Sequence, residues 1–327
     1  MNRRRFVSCA AGGLVAMSLE ARSQPAPSQV VGFLSIGSPS KWVPLVAAFR
    51  GGLNEAGYRD GGNVRIEFRW AEGQDDRLAI LAAELVRERV NVLVATGGPR
   101  SVLAAKGATS KTPIVFTLGA DPVKLGVVAT LGRPGANITG VTFITGQLNA
   151  KRLELLHALV PGTTVIALLV NPDNPNAESV TKEVQEAARS LGLRVHVLRA
   201  RTELEIDTSF AALAGLQAGA LFVGSDGFFY NRREQLISLA TRHAIPASFE
   251  LSEFVTAGGL MSYGASLLEV YRQAGIYSGR ILGGAKPSDL PVLQPTKVDL
   301  VLNARTAKAL GITMPQSLLL RAQEVIQ

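Results

Sequence analysis

Apolar residues fall in two recurring patterns, short unbroken runs and longer stretches at helical spacing, and the two alternate. Val30 to Ile36 is a continuous apolar run closed by Gly37-Ser38-Pro39, as expected of a strand buried on both faces of a parallel sheet. Trp42 to Ala56 has helical spacing and stops at Gly57, a C-terminal helix signal. Val64 to Trp70 alternates, with Val64, Ile66, Phe68 and Trp70 on one face. Asp75 is placed to cap the next helix, whose buried stripe is Leu78, Leu81, Ala82 and Leu85. A strand over 91–95, a helix over 99–107 and a strand over 113–117 follow. Strands separated by helices of this length predict right-handed βαβ crossovers and a parallel sheet.

Ile138 to Phe143 reads as a strand leading out of this first lobe, and Leu148 to Val160 as a helix. The alternation then restarts. Strands are predicted over 165–170, 194–198, 220–223 and 245–249, and helices over 174–191, 203–216 and 231–243. The second lobe has the architecture of the first without a recognisable sequence repeat. The tail holds a glycine-bracketed strand, Gly258 to Gly264, a helix from Ser266 to Leu282, and an extended connector punctuated by Pro287, Pro291 and Pro295. A strand over 298–302 and a helix from Arg305 complete it. This predicts that the tail returns to the first lobe and crosses again. The expected fold is α/β, two doubly wound parallel-sheet lobes joined by a multi-strand hinge. The expected lobes are residues 30–138 with 250–286, and 139–249 with 287–327.

The first 23 residues differ in kind. Met1-Asn2-Arg3-Arg4-Arg5-Phe6-Val7, a short apolar stretch to Leu19 and Ala21-Arg22-Ser23 together describe a signal peptide. The apolar stretch is too short for a permanent span. The Arg3-Arg4-Arg5-Phe6-Val7 run resembles a twin-arginine signal, although Asn2 stands where Ser or Thr is usual; an Arg-rich Sec signal is the alternative. Residues 24–29 read as a spacer. The single cysteine, Cys9, lies inside the leader, near its start rather than at a lipoprotein position. A chain cleaved after Ser23 has no thiol, which excludes disulfides, thiolate catalysis and cysteine metal sites. The leader carries four arginines and one glutamate, so cleavage lowers the formal net charge of +8 by three, to +5. No Lys/Arg-rich run remains as a nucleic-acid footprint. The remainder, about 300 residues, suits two domains.

Ligands of open parallel sheets bind beyond the carboxyl ends of the strands. Five such loops stand out: Ser35 to Ser38, Thr96 to Pro99, Leu118 to Pro122, Asn171 to Asn174 and Gly224 to Gly227. Their small polar residues can hold a carboxylate at a helix N-terminus, and are equally ordinary turn and cap chemistry. Five strand ends of one kind favour binding. The candidates are Ser35, Gly37, Ser38, Thr96, Gly97, Gly98, Leu118, Gly119, Asp121, Asn171, Asn174, Ser225 and Asp226. Trp42, which either stacks on a ligand or starts a helix, joins them, as does Tyr263 at the hinge. Asp121 and Asp226 each suit a ligand's ammonium group or a helix cap. For Asp121, which precedes a proline, capping stands at least level with ligand contact; Asp226 is the better ligand candidate of the two.

Catalysis finds little footing. His157, His196 and His243 fall away from the strand-end loops. No nucleophile elbow, His-Glu-x-x-His helix or phosphate-binding glycine loop occurs. Gly97-Gly98 lacks the third glycine of a dinucleotide turn. No metal site and no cofactor are expected.

Four segments carry a family resemblance. They are Pro295-Thr296-Lys297-Val298-Asp299-Leu300-Val301-Leu302-Asn303 with Thr306 to Ile312, the Gly258-to-Gly264 strand, Asp121-Pro122-Val123, and Asn171-Pro172-Asp173-Asn174-Pro175-Asn176. In order and length they resemble the ABC-transporter substrate-binding proteins of the type that includes tryptophan- and tyrosine-binding members. The likeness covers essentially the whole chain after the leader. It implies a class I periplasmic-binding-protein fold. It also implies a monomeric receptor in the periplasm, closing on a small organic solute such as an amino acid or another carboxylate. The partners so implied are that solute and the permease subunits of an ABC importer at the inner membrane, with no nucleic acid and no membrane insertion after processing. Relatives often carry an acidic residue within two positions of Gly264, where this chain has Ala265-Ser266. Two other classes stand beside this reading. A sensing subunit would signal to a membrane receptor kinase, and an exported enzyme would turn its ligand over.

Overall fold

A computed structural model describes residues 29–143, 146–294 and 297–327. The leader with Cys9 and its twin-arginine run, the spacer up to Ser28, and Pro295-Thr296 of the resemblance lie outside the described residues.

The first sheet is built from β1 (Gln29–Ser35), α1 (Val43–Glu55), β2 (Val64–Trp70), α2 (Arg77–Arg87), β3 (Val92–Thr96), α3 (Pro99–Ala108), β4 (Ile114–Leu118) and β5 (Ile138–Thr142). Its strands are parallel in the order β2-β1-β3-β4-β5. The runs of β1, β3 and β4 are buried on both faces because helices cover both sides.

The second sheet follows with α4 (Gly146–Leu159), β6 (Val165–Val170), α5 (Ala177–Ser190), β7 (Arg194–Arg199), α6 (Glu203–Ala212), β8 (Ala220–Val223), α7 (Gly227–Asn231), α8 (Arg233–Arg242), β9 (Ala247–Phe249), α9 (Ser252–Thr256) and β10 (Met261–Ala265). The chain then runs through α10 (Leu267–Leu282), β11 (Val298–Asn303), α11 (Ala304–Ala309), α12 (Gln316–Leu319) and β12 (Glu324–Ile326). The order of this sheet is β12-β11-β10-β9-β8-β6-β7, with β11 antiparallel to β10. Strands β6 to β10 repeat the order of β1 to β5, so both lobes are doubly wound, and β11 and β12 extend only the second.

Among the described residues, the chain is in the first lobe up to β5, in the second from α4 to β10, in the first again from α10 to residue 293, and in the second from β11 on. Helix α10 belongs to the first lobe, lying along α1 so closely that glycine is required on both sides. A Cβ on Gly52 would fall 1.9 Å from the Arg272 carbonyl oxygen, and one on Gly275 would fall 2.1 Å from that of Phe49. Residues 292–293 then run beside β5, where the Thr142 N–H donates to the Leu293 carbonyl at 2.8 Å.

These pairings move the lobe boundaries from those expected. Strand β5 is the last strand of the first sheet rather than an exit from it; α9 and β10 belong to the second lobe; and residues 287–293 stay with the first. Hydrophobic pattern reveals a strand but not the sheet in which it pairs. Gln29, expected in the spacer, starts β1, and its amide donates to the Leu282 carbonyl at 3.1 Å. Asp75 does not cap α2. Its carboxylate faces Arg100 at 3.0 Å instead.

Candidate functional site

The carboxyl ends of the central strands of both sheets open onto one cleft, and the cleft is shut. Gly227, at the start of α7, lies against Gly97, after β3: a Cβ on Gly227 would stand 1.9 Å from the Gly97 carbonyl oxygen. Gly97 has φ +87°, a backbone state that disfavours other residues. At the rim, the Ser38 hydroxyl donates to Asn231 Oδ1 at 3.1 Å, and Lys41 pairs with Glu234 at 2.7 Å. Between the lobes is a cavity with about 60 Å³ of room for water-molecule centres.

Asp226 supplies the cavity's charge. It caps α7, its Oδ1 accepting from the Phe228 and Phe229 N–H groups at 2.8 and 3.2 Å. The Asn171 amide donates to the same oxygen at 3.3 Å, and Asn174 donates to Oδ2 at 2.8 Å. Burial nevertheless dominates and pushes the carboxyl up to about 6 from 3.8, against the lowering effect of these bonds. No lysine or arginine is among the described residues lining the cavity. A cation entering the cleft would therefore meet an acceptor lacking a countercharge there.

The opposite wall is aromatic. Trp42 is 2% exposed, and its Nε1 donates to the Tyr271 hydroxyl at 2.9 Å. That hydroxyl also bonds with Thr96 and Thr117, and burial raises its pKa. Tyr230 meets the Trp42 ring edge-on at 4.8 Å. A Cβ on Gly37 would stand 2.3 Å from the indole, so glycine there makes room for the ring. Phe143, Leu251 and Leu267 complete the apolar lining.

Of the residues expected at the site, Trp42, Gly97, Gly98, Gly119, Asn174, Ser225 and Asp226 line the cavity. Others stand behind it. Ser35 Oγ accepts from the Gly37 N–H at 3.1 Å, Thr96 donates to the Leu34 carbonyl at 3.4 Å, and the Leu118 carbonyl accepts from the Thr142 hydroxyl at 3.0 Å. Asn171 meets the cavity only through its bond to Asp226, and Ser38 lies on the rim. Two candidates fall elsewhere. Asp121 accepts from the Val123 and Lys124 N–H groups at 2.9 and 3.2 Å and so closes its own turn. Tyr263 packs into the second lobe's core opposite Leu300, because alternate residues of a strand face opposite sides. Sequence reasoning missed Phe143, Leu251, Leu267 and Tyr271, and did not count Tyr230 as lining. Leu267 and Tyr271 carried one available signal: four residues apart, they share a face at the start of a helix.

Behind Ser225 lies a second buried charge. Arg152, 1% exposed, donates to the Val223 carbonyl at 2.8 Å and stacks 3.8 Å from the Phe222 ring. Burial lowers it to about 10, while Glu250 is raised by burial to about 7, partly offset by Arg152. None of the three histidines lines the cavity. Among the described residues, no group of three or more His, Cys, Asp or Glu is placed to hold a metal ion, and no helix is long and apolar enough to cross a membrane.

Residues 37–326 match the family of ABC transporter substrate binding proteins. A tyrosine-binding protein of Clostridioides difficile is 26% identical over 260 residues, 80% of this chain and 74% of that protein. The crystal structure of an ABC domain in complex with L-Trp from Streptococcus pneumoniae is 26% identical, with a TM-score of 0.84 over 91% of this chain and 99% of that one. The ligand-free, open structure of a substrate-binding protein with adhesive properties from Clostridium difficile is 25% identical, with the same coverage but a TM-score of 0.65. At nearly equal identity, the shut arrangement here matches the L-Trp complex more closely than the open form.

Proposed function

Because the chain belongs to the ABC transporter substrate binding protein family, we propose that it captures an aromatic amino acid outside the cytoplasm and hands it to an ABC importer. One observation carries this reading. A single carboxylate, Asp226, faces a cavity walled by Trp42, Phe143, Tyr230 and Tyr271, which suits an ammonium group at one end and a ring at the other. The ligand's carboxylate points to the first turn of α3, where Gly97 and Gly98 bring backbone close and the helix dipole favours an anion. The likeness to the tyrosine-binding protein and to the L-Trp complex supports the same class of cargo.

Capture needs no covalent step. Cargo shifts the lobes towards the shut state by its differential affinity for that state, and closure about the three connections is a hinge motion. The receptor works as a monomer, released in the periplasm after its leader is removed. N-terminal sequencing of the exported protein is expected to begin at Gln24.

The deciding experiment is a thermal-shift screen against aromatic and branched amino acids and their counterparts lacking the amino group. A ligand at a hundred times its Kd adds about 2.7 kcal/mol to stability. Aromatic amino acids are expected to stabilise the protein and to be recovered unchanged. A shift confined to the deaminated acids, or conversion of the ligand, would overturn the reading.

A further inference from the structure

Shutting the cleft lays one cation of the first lobe onto the backbone of the second. Arg100 directly follows Gly97-Gly98-Pro99, the segment that lines the cavity, yet does not line it itself. Its Nε donates to the Asp173 carbonyl oxygen, across the cleft, at 2.6 Å. Its Nη1 pairs with Asp75 of its own lobe at 3.0 Å, and its Nη2 stands 3.8 Å from the Asp173 carboxylate. The contact continues inward. The Asp173 N–H donates to Asn171 Oδ1 at 3.0 Å, and the Asn171 amide donates to Asp226. A run of hydrogen bonds thus joins Arg100 to the acidic wall of the cavity.

We propose that Arg100 is a closure latch, a positioning residue that holds the lobes together through Asp173 and strengthens binding of every cargo by one common factor. This rests on the reading that cargo is captured in this cleft. Asp75 keeps the guanidinium aimed across the gap, so parting the lobes leaves that ion pair intact and breaks only the bonds to Asp173. A contact made only in the shut state raises the competent fraction, and apparent affinity rises with that fraction for any ligand. The Lys41–Glu234 pair crosses the same gap with side chains 33% and 50% exposed, and Arg100 and Asp173 are 38% and 37% exposed, so the ion pairs themselves contribute little and what sets Arg100 apart is its bond to the backbone. A charge-assisted bond to a backbone oxygen discriminates more. Its loss is expected to lower the ratio of shut to open ligand-free protein about three- to tenfold.

Two measurements test this. In the first, Ser38→Cys and Asn231→Cys are introduced across the rim with Cys9→Ser, and disulfide formation is timed in ligand-free protein under a fixed oxidant. Adding Arg100→Ala is expected to slow it several-fold, with Arg100→Gln intermediate; unchanged rates overturn the latch. In the second, calorimetry with L-tryptophan, L-tyrosine and L-phenylalanine compares Arg100→Ala with the parent. All three are expected to weaken by the same factor, through faster release. Factors that differ between ligands would make Arg100 a ligand contact and overturn the proposal. If the parent binds none of the three, the aromatic-cargo reading falls while the disulfide rates still decide the latch.

Discussion

Asp226 is held by four donors yet titrates near neutrality, because burial without a countercharge outweighs its hydrogen bonds. Its folded value of about 6 lies above the ordinary 3.8, so between those values the folded protein binds the extra proton. Asp226 therefore adds stability to the ligand-free protein as pH falls through 6, in full below the ordinary value, and that contribution is lost as pH rises through 6. Affinity for an ammonium ligand runs the other way, since it needs the charged carboxylate. Calorimetry is expected to show affinity falling about tenfold from pH 7 to pH 5. Asp226→Asn should weaken binding about 30-fold or more and flatten that dependence. A slope that survives the substitution would move the titrating role to Glu250, raised by burial to about 7. Asp226 was legible in the sequence because Asp-Gly follows a strand. Its two amide partners were legible as site residues, but not their role, since nothing local says that Asn171 and Asn174 point at a residue more than fifty positions away.

At the scale of elements, the first lobe depends on how closely α1 and α10 approach. A methyl group on Gly275 would press on the Phe49 carbonyl, so Gly275→Ala is expected to spread the helices and cost about 1–3 kcal/mol in urea unfolding. Gly107→Ala in α3, where a Cβ would meet nothing within 4 Å, should be neutral or stabilising by up to about 1 kcal/mol. Equal effects would show that the contact is unimportant. Elements with strong local signals were readable: the strands at 64–70, 165–170 and 220–223 coincide with β2, β6 and β8. Partnership was not. The Asn176 and Asp173 N–H groups donate to the side-chain oxygens of Asn174 and Asn171 and hold an extended turn, so α5 starts at Ala177 rather than Asn174. Tyr263 was misplaced because the face of β10 that meets the core follows from its neighbours β9 and β11.

Across the whole molecule, the first lobe cannot complete its core from its own segment. Helix α10 brings Val270, Tyr271, Ala274 and Tyr277 into the cluster that holds Phe33, Trp42 and Phe49, after the chain has built most of the second lobe. A fragment of residues 29–143 is thus expected to lack fixed tertiary structure. Near-UV circular dichroism should be flat for the fragment and strong for the full chain; a native-like spectrum from the fragment would refute this. The same helix carries two of the missed site residues. The sequence places it with the first lobe but does not say that Leu267 and Tyr271 on it face the cleft, whereas the strand-end loops declare themselves by composition.

The chain has two tryptophans, and both are at this spot: Trp42 on the cavity wall and Trp70 with its ring 6.4 Å away. All of the protein's indole emission therefore originates beside this cavity, with no distant ring to dilute it. A molecule seated in the cleft lies against Trp42, so the fluorescence spectrum is expected to report occupancy. For tyrosine or phenylalanine, the proposed cargo that adds no indole of its own, titration is expected to follow loading in real time and without a label.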